Sequence, residues 1–319
     1  MQQTYHANGK LLISAEYLVL KGALALAVPL SKGQHLTVKE CSEPGLQWNA
    51  RTLTGNWFNA VFDNHLNITG SSSPPHAQRL QNIIRQAIAQ NPAVVKKLSN
   101  QQVTTQLEFD PQWGWGSSST LLSLLAQWLE IDPYQLMDAT FGGSGYDIAC
   151  GTAGTPLFYR RETLQPPEIS AAPFNPPFID QLGVVWLNQK QTSSQEVRRF
   201  LNRRESHGQL IEEISHITRE MATTTDPDIF ARLMQQHETL IGRATGQTPV
   251  QQSHFPDFEG TIKSLGAWGG DFALFFAPDS LSTARSYFAS KGYSTLFPLA
   301  DLLLQTITEK NKTITKPYK

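Results

Sequence analysis

The spacing of apolar residues changes several times along the chain, which predicts a mixture of helices and strands. Residues 77–98 are predicted to form a helix, because Leu80, Ile83, Ile84 and Ile88 recur at helical spacing. Further helices are predicted at 121–129, 133–140, 195–223, 227–242, 280–291 and 299–308. Short or alternating apolar runs predict strands at 24–30, 34–40, 46–58, 103–109, 155–160, 182–187, 261–265 and 272–277. Helices and strands interleave throughout, so we predict an α+β fold.

A proline-rich segment interrupts this pattern near the middle of the chain. Prolines recur between 166 and 177, and proline lacks a backbone donor and restricts the residue before it. We therefore predict an N-terminal domain over residues 1–165, a junction over 166–177 and a C-terminal domain over 178–319.

Composition and charge narrow the class of function. The chain has 319 residues and a formal net charge of −1, which gives no basic surface for nucleic acid or for a membrane. Its two cysteines, Cys41 and Cys150, lack metal-binding spacing, so neither a disulfide framework nor a zinc site is expected. No apolar run is long enough to span a bilayer. We expect a cytoplasmic protein that acts on a small molecule, and the oligomeric state, including a homodimer, stays open.

A glycine- and serine-rich loop leads into the helix predicted at 121–129. Unpaired N–H groups at a helix N-terminus bind phosphate, glycines allow close approach, and serine hydroxyls can ligate magnesium. A helix that is merely capped after a turn explains this loop equally well. The loop residues that carry the phosphate-binding hypothesis are Gly114, Gly116, Ser117, Ser118 and Ser119.

Three further clusters complete the inventory that phosphoryl transfer needs, namely a cation, a carboxylate and glycine-rich turns. Lys10 follows Gly9, Asp147 follows Ser144-Gly145, and a third glycine cluster runs from Gly266 to Asp271. Taken singly, each has an ordinary explanation as a solvated lysine, a turn residue or a tight turn. The chain contains no GxxxxGK[ST] motif and no GxGxxG after a strand, so P-loop and Rossmann sites are unsupported.

Taken in order, the four clusters resemble the motifs of the GHMP small-molecule kinases. Residues 7–17 are similar to the first motif, 114–119 to the phosphate loop, 144–149 to the segment holding the catalytic aspartate, and 266–271 to the third motif. The resemblance implies an N-terminal domain like ribosomal protein S5 domain 2 and a ferredoxin-like C-terminal domain. The active site is then expected in the cleft between them.

The resemblance also implies roles for individual residues, with ATP and Mg²⁺ as cofactors. Asp147 would act as the base or orienting group and Lys10 as the electrostatic stabiliser. Ser118 would reach Mg²⁺, while Gly114, Gly116, Ser117 and Ser119 would wrap the phosphates. The expected substrate contacts are Glu16, Tyr17, Ser144, Gly145, Lys190, Ser193, Ser194, Gly266, Gly269 and Gly270.

Within the family, the branch acting on mevalonate or phosphomevalonate in isoprenoid precursor synthesis is the most similar. Tyr17 after Glu16 and the segment 184–194 carry this likeness. A phosphorylated acceptor would want cations, and the candidates are Arg160, Arg161, Lys190, Arg198 and Arg199. Two alternatives stay open: a kinase acting on a sugar or amino-acid alcohol, and a non-catalytic ATP-binding relative with a regulatory role.

The chain departs from the family pattern at informative places. Trp115 replaces the usual leucine of the phosphate loop, and a bulky indole there could narrow the pocket or stack on a base. Trp268 replaces a glycine of the third motif. The metal-binding glutamate of mevalonate kinases is missing from the stretch Gln135–Asp138. Either Asp138 substitutes for it, or the metal relies on Ser118 and the nucleotide alone.

Overall fold

The computed structural model describes residues 2–162, 165–189, 200–201, 208–266 and 271–304, and the structural statements below concern these residues. They form two β-sheets with helices packed against them, which confirms the predicted α+β class. In this part of the chain, no helix is both long enough and apolar enough to cross a membrane.

The first sheet has eight strands. These are β1 Gln2–Leu12, β2 Ala25–Glu40, β3 Leu46–Thr52, β4 Gly55–Phe62, β5 Ile68–Ser71, β6 Gln101–Leu107, β7 Leu157–Arg160 and β8 Glu168–Ala171. Their order is β5-β4-β3-β6-β2-β7-β8, with β1 paired to β2, and only the β3–β6 pair is parallel. The helices of this part are α1 Pro74–Gln90, α2 Val94–Leu98, α3 Ser117–Leu129, α4 Pro133–Thr140 and α5 Tyr146–Thr152, with a 3₁₀ turn at Leu18–Lys21.

The second sheet is four-stranded and antiparallel, with order β10-β11-β9-β12. Its strands are β9 Leu182–Trp186, β10 Thr261–Ser264, β11 Phe272–Phe276 and β12 Leu296–Pro298. The helices are α6 Gly208–Thr223, α7 Pro227–Thr245, α8 Val250–His254, α9 Leu281–Ser290 and α10 Leu299–Leu302, with a 3₁₀ turn at Ile179–Gln181. Helices separate β9 from β10 and β11 from β12, which with this strand order gives the predicted ferredoxin-like arrangement.

One apolar core joins the two sheets. Leu26 and Val28 of β2 belong to the same buried cluster as Ile214 of α6, Phe230 of α7 and Phe272 of β11. The two parts of the chain therefore share a buried apolar interface. Residues of the first motif lie close to the second sheet.

Some element boundaries differ from the predictions for local reasons. The helix predicted over 77–98 is two helices, because Asn91 is extended and Pro92 cannot continue the hydrogen-bond ladder. The predicted strands 24–30 and 34–40 are halves of the single strand β2, which stays paired to β1 at Pro29 and Gly33.

The first sheet extends into the segment predicted as a junction, because β8 pairs with β7. All four β8 residues are exposed, so no buried alternation marked them as a strand. The helix predicted at 195–223 is described only at 200–201 and from Gly208 onward, and the helix predicted at 299–308 ends at Leu302. The division into two domains stays a prediction.

Candidate active site

The glycine–serine loop ends in an open helix N-terminus. Gly116 is the N-cap of α3 with φ of 96°, and no side chain caps the first turn. Gly114, with φ of 63°, also occupies the left-handed region that favours glycine. The Ser118 side chain is exposed, whereas the Ser119 hydroxyl turns inward and donates to the Gly116 carbonyl at 2.9 Å. Among the described residues, no side chain accepts a hydrogen bond from the first-turn N–H groups, and such open helix N-termini bind anions.

Trp115 anchors this loop to the second sheet. Its ring is 1% exposed, stacks on Phe272 with centroids 5.4 Å apart, and meets Phe297 edge-on at 5.4 Å. Trp113 and Phe109 complete the aromatic cluster. The indole therefore lies in the core between the two sheets, and the expectation that it narrows the pocket or stacks on a base gives way to a role in holding the loop.

Lys10 reaches the loop from the end of β1. A bulge at Gly9 shifts the register of β1, and a Cβ at Gly9 would lie 2.7 Å from the Lys32 carbonyl and 3.2 Å from that of Trp115. The Lys10 N–H donates to the Trp115 carbonyl at 3.1 Å. A Cβ at Gly116 would lie 3.3 Å from Lys10 Cγ, so the lysine stem passes directly beside the loop.

The surroundings of Lys10 keep it charged. Burial disfavours the cation, but Tyr146, Asp147 and Asp271 outweigh that effect and hold the pKa of Lys10 above its ordinary value. Lys10 Nζ lies 5.3 Å from the centre of the Tyr146 ring. Burial likewise raises the pKa of Tyr146 to about 12, so its phenol is neutral beside the ammonium at neutral pH.

Asp147 lies in the first turn of α5, where the helix dipole favours a negative charge. The turn before it is tightly packed, because the Tyr159 hydroxyl donates to the Ser144 carbonyl at 2.6 Å. A Cβ at Gly145, whose φ is 90°, would lie 2.8 Å from that hydroxyl. The carboxylate of Asp147 accepts the N–H of Ile148 and acts on Lys10 through space, without a hydrogen bond to it.

The third glycine cluster contributes Asp271, which was not among the predicted site residues. A Cβ at Gly114 would overlap the Asp271 carboxylate, so this aspartate lies directly against the phosphate loop. The signal was present in the sequence, since Asp271 closes the third cluster, but its contact with Gly114 is long-range. Gly266 has φ of 63°, and no described residue lies within 4 Å of where its Cβ would be. The predicted substrate contacts Lys190, Ser193, Ser194, Gly269 and Gly270, together with Trp268, lie outside the described residues.

Comparison with known proteins was made on sequence and on structure. No protein-family model and no curated protein sequence matches the chain. Among solved structures, phosphomevalonate kinase of Streptococcus pneumoniae in complex with phosphomevalonate and AMPPNP matches with a TM-score of 0.68 and 16% identity, over 93% of this chain and 99% of that one. Mevalonate kinase of L. major in complex with R-mevalonate matches at 0.62 and 16% identity, over 91% and 90% of the two chains. Galactokinase of Lactococcus lactis in complex with galactose matches at 0.66 and 11% identity, over 93% and 92%.

The chain has the GHMP kinase fold. At these identities the matches establish the architecture, and the choice among acceptors has to come from the site itself. The predicted fold is thereby confirmed, including its two-part organisation into a large mixed sheet and a ferredoxin-like sheet.

The first GHMP-like motif does not place all its polar residues at the phosphate loop. Glu16 is fully buried, and Lys263 donates to its carboxylate at 2.5 Å. Tyr17 is 6% exposed and its ring contacts Phe200 at 5.4 Å between centroids. That both residues contact substrate stays a prediction, and their burial favours a structural role instead.

Asp138 is engaged elsewhere. The two terminal guanidinium nitrogens of Arg161 donate to the Asp138 carboxylate at 3.1 and 2.7 Å, and Arg161 Nε donates to the Gln165 carbonyl. This pairing favours the second of the two expectations, in which a metal relies on Ser118 and the nucleotide and not on Asp138. The exposed Ser118 hydroxyl at the open helix N-terminus is an oxygen ligand of the kind that Mg²⁺ prefers, and its role as a metal ligand stays a prediction.

Proposed function

We propose that this chain is an ATP-dependent kinase of the GHMP type, which transfers the γ-phosphoryl group to an oxygen of a small metabolite. The observation that carries the proposal is the meeting of Lys10, Asp147 and Asp271 at the open N-terminus of α3. A single helix N-terminus would be weak support. A protonated lysine and two carboxylates from three separate motifs add what the loop lacks.

In the proposed reaction, an acceptor oxygen attacks the γ-phosphorus, the bond to the β-γ bridging oxygen breaks, and ADP leaves. The acceptor proton passes to Asp147 when that oxygen is a hydroxyl. Lys10 stabilises the negative charge on the transferring group, and the first-turn N–H groups of α3 hold the remaining phosphates. Mg²⁺, held by Ser118 and phosphate oxygens, would supply further charge neutralisation.

We propose mevalonate or phosphomevalonate as the acceptor, which would place the reaction in isoprenoid precursor synthesis in the cytoplasm. The support is the motif likeness around Tyr17 and the matches to kinases of both compounds. A sugar acceptor is the second candidate, because galactokinase matches the fold comparably. Of the cations proposed for a phosphorylated acceptor, Arg161 is already paired with Asp138, so selectivity for a phosphate would have to come from other residues.

The direct test is ATP turnover with Mg²⁺ against mevalonate, phosphomevalonate, galactose and homoserine, with Asp147→Asn as the control. We expect turnover with one of the first two, and loss in the variant by about 10²–10⁴-fold with ATP binding retained. Turnover with a sugar or homoserine alone would overturn the acceptor assignment. ATP binding without turnover on any acceptor would overturn the enzymatic assignment in favour of a regulatory relative.

A further inference from the structure

Two imidazoles and one carboxylate meet on the first sheet, outside the phosphate-loop site. His6 lies on β1 and is paired directly with His35 on β2. Glu108 follows the last residue of β6, and its N–H donates to the carbonyl of Gly33 on β2. Two paired strands and the residue that follows a third strand thus each supply one side chain to the same cluster. The ligands are 29 and 73 residues apart along the chain, so no local spacing in the sequence could reveal them.

The distances suit a shared metal ion. His35 Nε2 lies 3.2 Å from Glu108 Oε1, and His6 Nε2 lies 3.6 Å from Glu108 Oε2. One ligand atom from each of the three residues lies within 4.8 Å of the others. Ligands bound to zinc at about 2.0–2.2 Å in a tetrahedron are about 3.3–3.6 Å apart, so only small side-chain movements are needed.

Neighbouring backbone holds the three groups in place. Glu108 Oε2 accepts the Gly33 N–H at 2.8 Å, which orients the carboxylate as outer-shell contacts do in metal sites. A Cβ at Gly33 would lie 2.7 Å from His6 Nε2, so the absence of a side chain there makes room for the imidazole. The side chains of His6, His35 and Glu108 are 37%, 40% and 30% exposed, which leaves an ion free access.

We propose that His6, His35 and Glu108 bind a Zn²⁺ ion, separate from the Mg²⁺ of the kinase site. Imidazole nitrogens select zinc-class ions, whereas Mg²⁺ prefers oxygen ligands. Our expectation of no zinc site rested on cysteine spacing, which does not bear on two histidines joined by strand pairing. Three protein ligands leave one coordination position open to water or an added ligand. A bound ion would fasten β1, β2 and the start of the segment that leads from Glu108 to the phosphate loop.

The test is calorimetric titration of Zn²⁺ into the full chain, purified without a histidine tag, stripped with chelator and kept in excess Mg²⁺. We expect one equivalent to bind. His6→Ala and His35→Ala should each weaken binding by at least about tenfold, and Glu108→Gln by about tenfold. Replacing Zn²⁺ with Co²⁺ should give the visible absorption of a low-coordinate nitrogen-ligated ion, and the band should vanish in His6→Ala. Neither readout depends on kinase activity.

His216→Ala is the matched control. His216 Nε2 lies 3.4 Å from Glu220, so it offers an exposed imidazole–carboxylate pair with no second imidazole beside it among the described residues. Its removal should leave zinc binding unchanged. Absence of zinc binding in the unaltered chain would overturn the proposal. So would unchanged affinity in a His6→Ala/His35→Ala variant that thermal unfolding shows to be folded.

Discussion

Lys10 and Glu16 are six residues apart in one motif, yet their charged groups lie in different surroundings and have different partners. Lys10 lies between the phosphate loop and α5, where Tyr146, Asp147 and Asp271 keep it protonated, although it forms no ion pair with any residue that the structure describes. Glu16 lies in the interior and is paired with Lys263. One motif thus supplies both the charge that we propose binds the ligand and the charge that joins the two sheets.

The buried Glu16 belongs to a polar network whose members come from distant elements of the fold. Lys263 of β10 also donates to the Ser264 carbonyl, and Glu238 of α7 accepts from the Ser264 N–H and hydroxyl. His237 Nε2 accepts the Ala15 N–H at 2.8 Å. These contacts connect the end of the first motif to α7 and β10, so their loss should be felt in stability rather than in chemistry.

The largest effect is expected on breaking the buried pair. Lys263→Met should lower the free energy of unfolding by about 3–5 kcal/mol, because it leaves the Glu16 carboxylate buried without its cation. Urea denaturation measures this. The exposed Lys97–Glu130 pair, at 3.0 Å, provides the control, and Lys97→Met should cost less than about 1 kcal/mol. Equal effects of the two substitutions would show that the interior pair does not fasten the fold.

At the loop, Gly114→Ala should be the next most damaging change. Its Cβ would overlap the Asp271 carboxylate, so the loop must move. We expect ATP affinity to fall at least about tenfold and the free energy of unfolding to fall by about 1–3 kcal/mol. Gly142→Ala is the matched control, because Gly142 has φ of 65° but no atom of the described chain within 4 Å of its Cβ position. If both variants bind ATP equally well, the contact with Asp271 is irrelevant to the loop.

The interior network also predicts a pH dependence. Burial raises the pKa of Glu16 from 4.5 to about 7 and lowers that of His237 well below 6.5. Near about pH 5.5 the folded state therefore keeps the Glu16 proton that the unfolded state releases, while the unfolded state gains one on His237. These contributions to the slope of stability against pH have opposite signs and nearly cancel.

His237→Gln removes one of these two contributions while retaining an acceptor for the Ala15 N–H. Without the histidine, the buried carboxyls of Glu16 and Glu238 remain, both with a raised pKa, and stability should fall as pH rises from about 4.5 to 7. We expect the slope near about pH 5.5 to become more negative by about 1 kcal/mol per pH unit. Denaturation midpoints taken across this range measure it, and a slope that stays as in the unaltered chain would exclude opposed titrations.

The smallest effect is expected on removing Ser118, the ligand that we propose for Mg²⁺ at the loop. Ser118→Ala should raise the Mg²⁺ concentration for half-maximal turnover by about tenfold, because it removes an oxygen ligand while the nucleotide retains most of the coordination. Ser119→Ala is the comparison, since that hydroxyl already bonds to the Gly116 carbonyl. Equal metal dependence in Ser118→Ala and the unaltered chain would remove Ser118 from the magnesium site.

Much of the fold was predictable because its signals are local. The apolar period gave α4 at Pro133–Thr140 and β9 beginning at Leu182, and the order of four short motifs gave the architecture. The helix break at Asn91 was also local, and Pro92 was its visible signal. Strand β8 had no such signal, since its residues are all exposed and it is defined by pairing with β7 alone.

The partners of individual site residues could not be predicted, since they depend on contacts between distant parts of the chain. Glu16 and Lys263 are 247 residues apart, and only the packing of the two sheets makes them a pair. Trp115 was expected to narrow the pocket or stack on a base because it lies in the predicted phosphate loop, but Phe272 and Phe297 place its ring in the core. The sequence patterns therefore identified the unusual residues of this region, but they did not predict the contacts that each residue makes.

We infer that Lys10 stabilises the transferring phosphoryl group and contributes little to the stability of the fold. The measurement that tests it is kcat for Lys10→Met, taken together with its free energy of unfolding. We expect kcat to fall by about 10²–10³-fold, as for loss of a transition-state donor, and stability to change by less than about 1 kcal/mol. Turnover close to that of the unaltered chain in a folded Lys10→Met protein would contradict it.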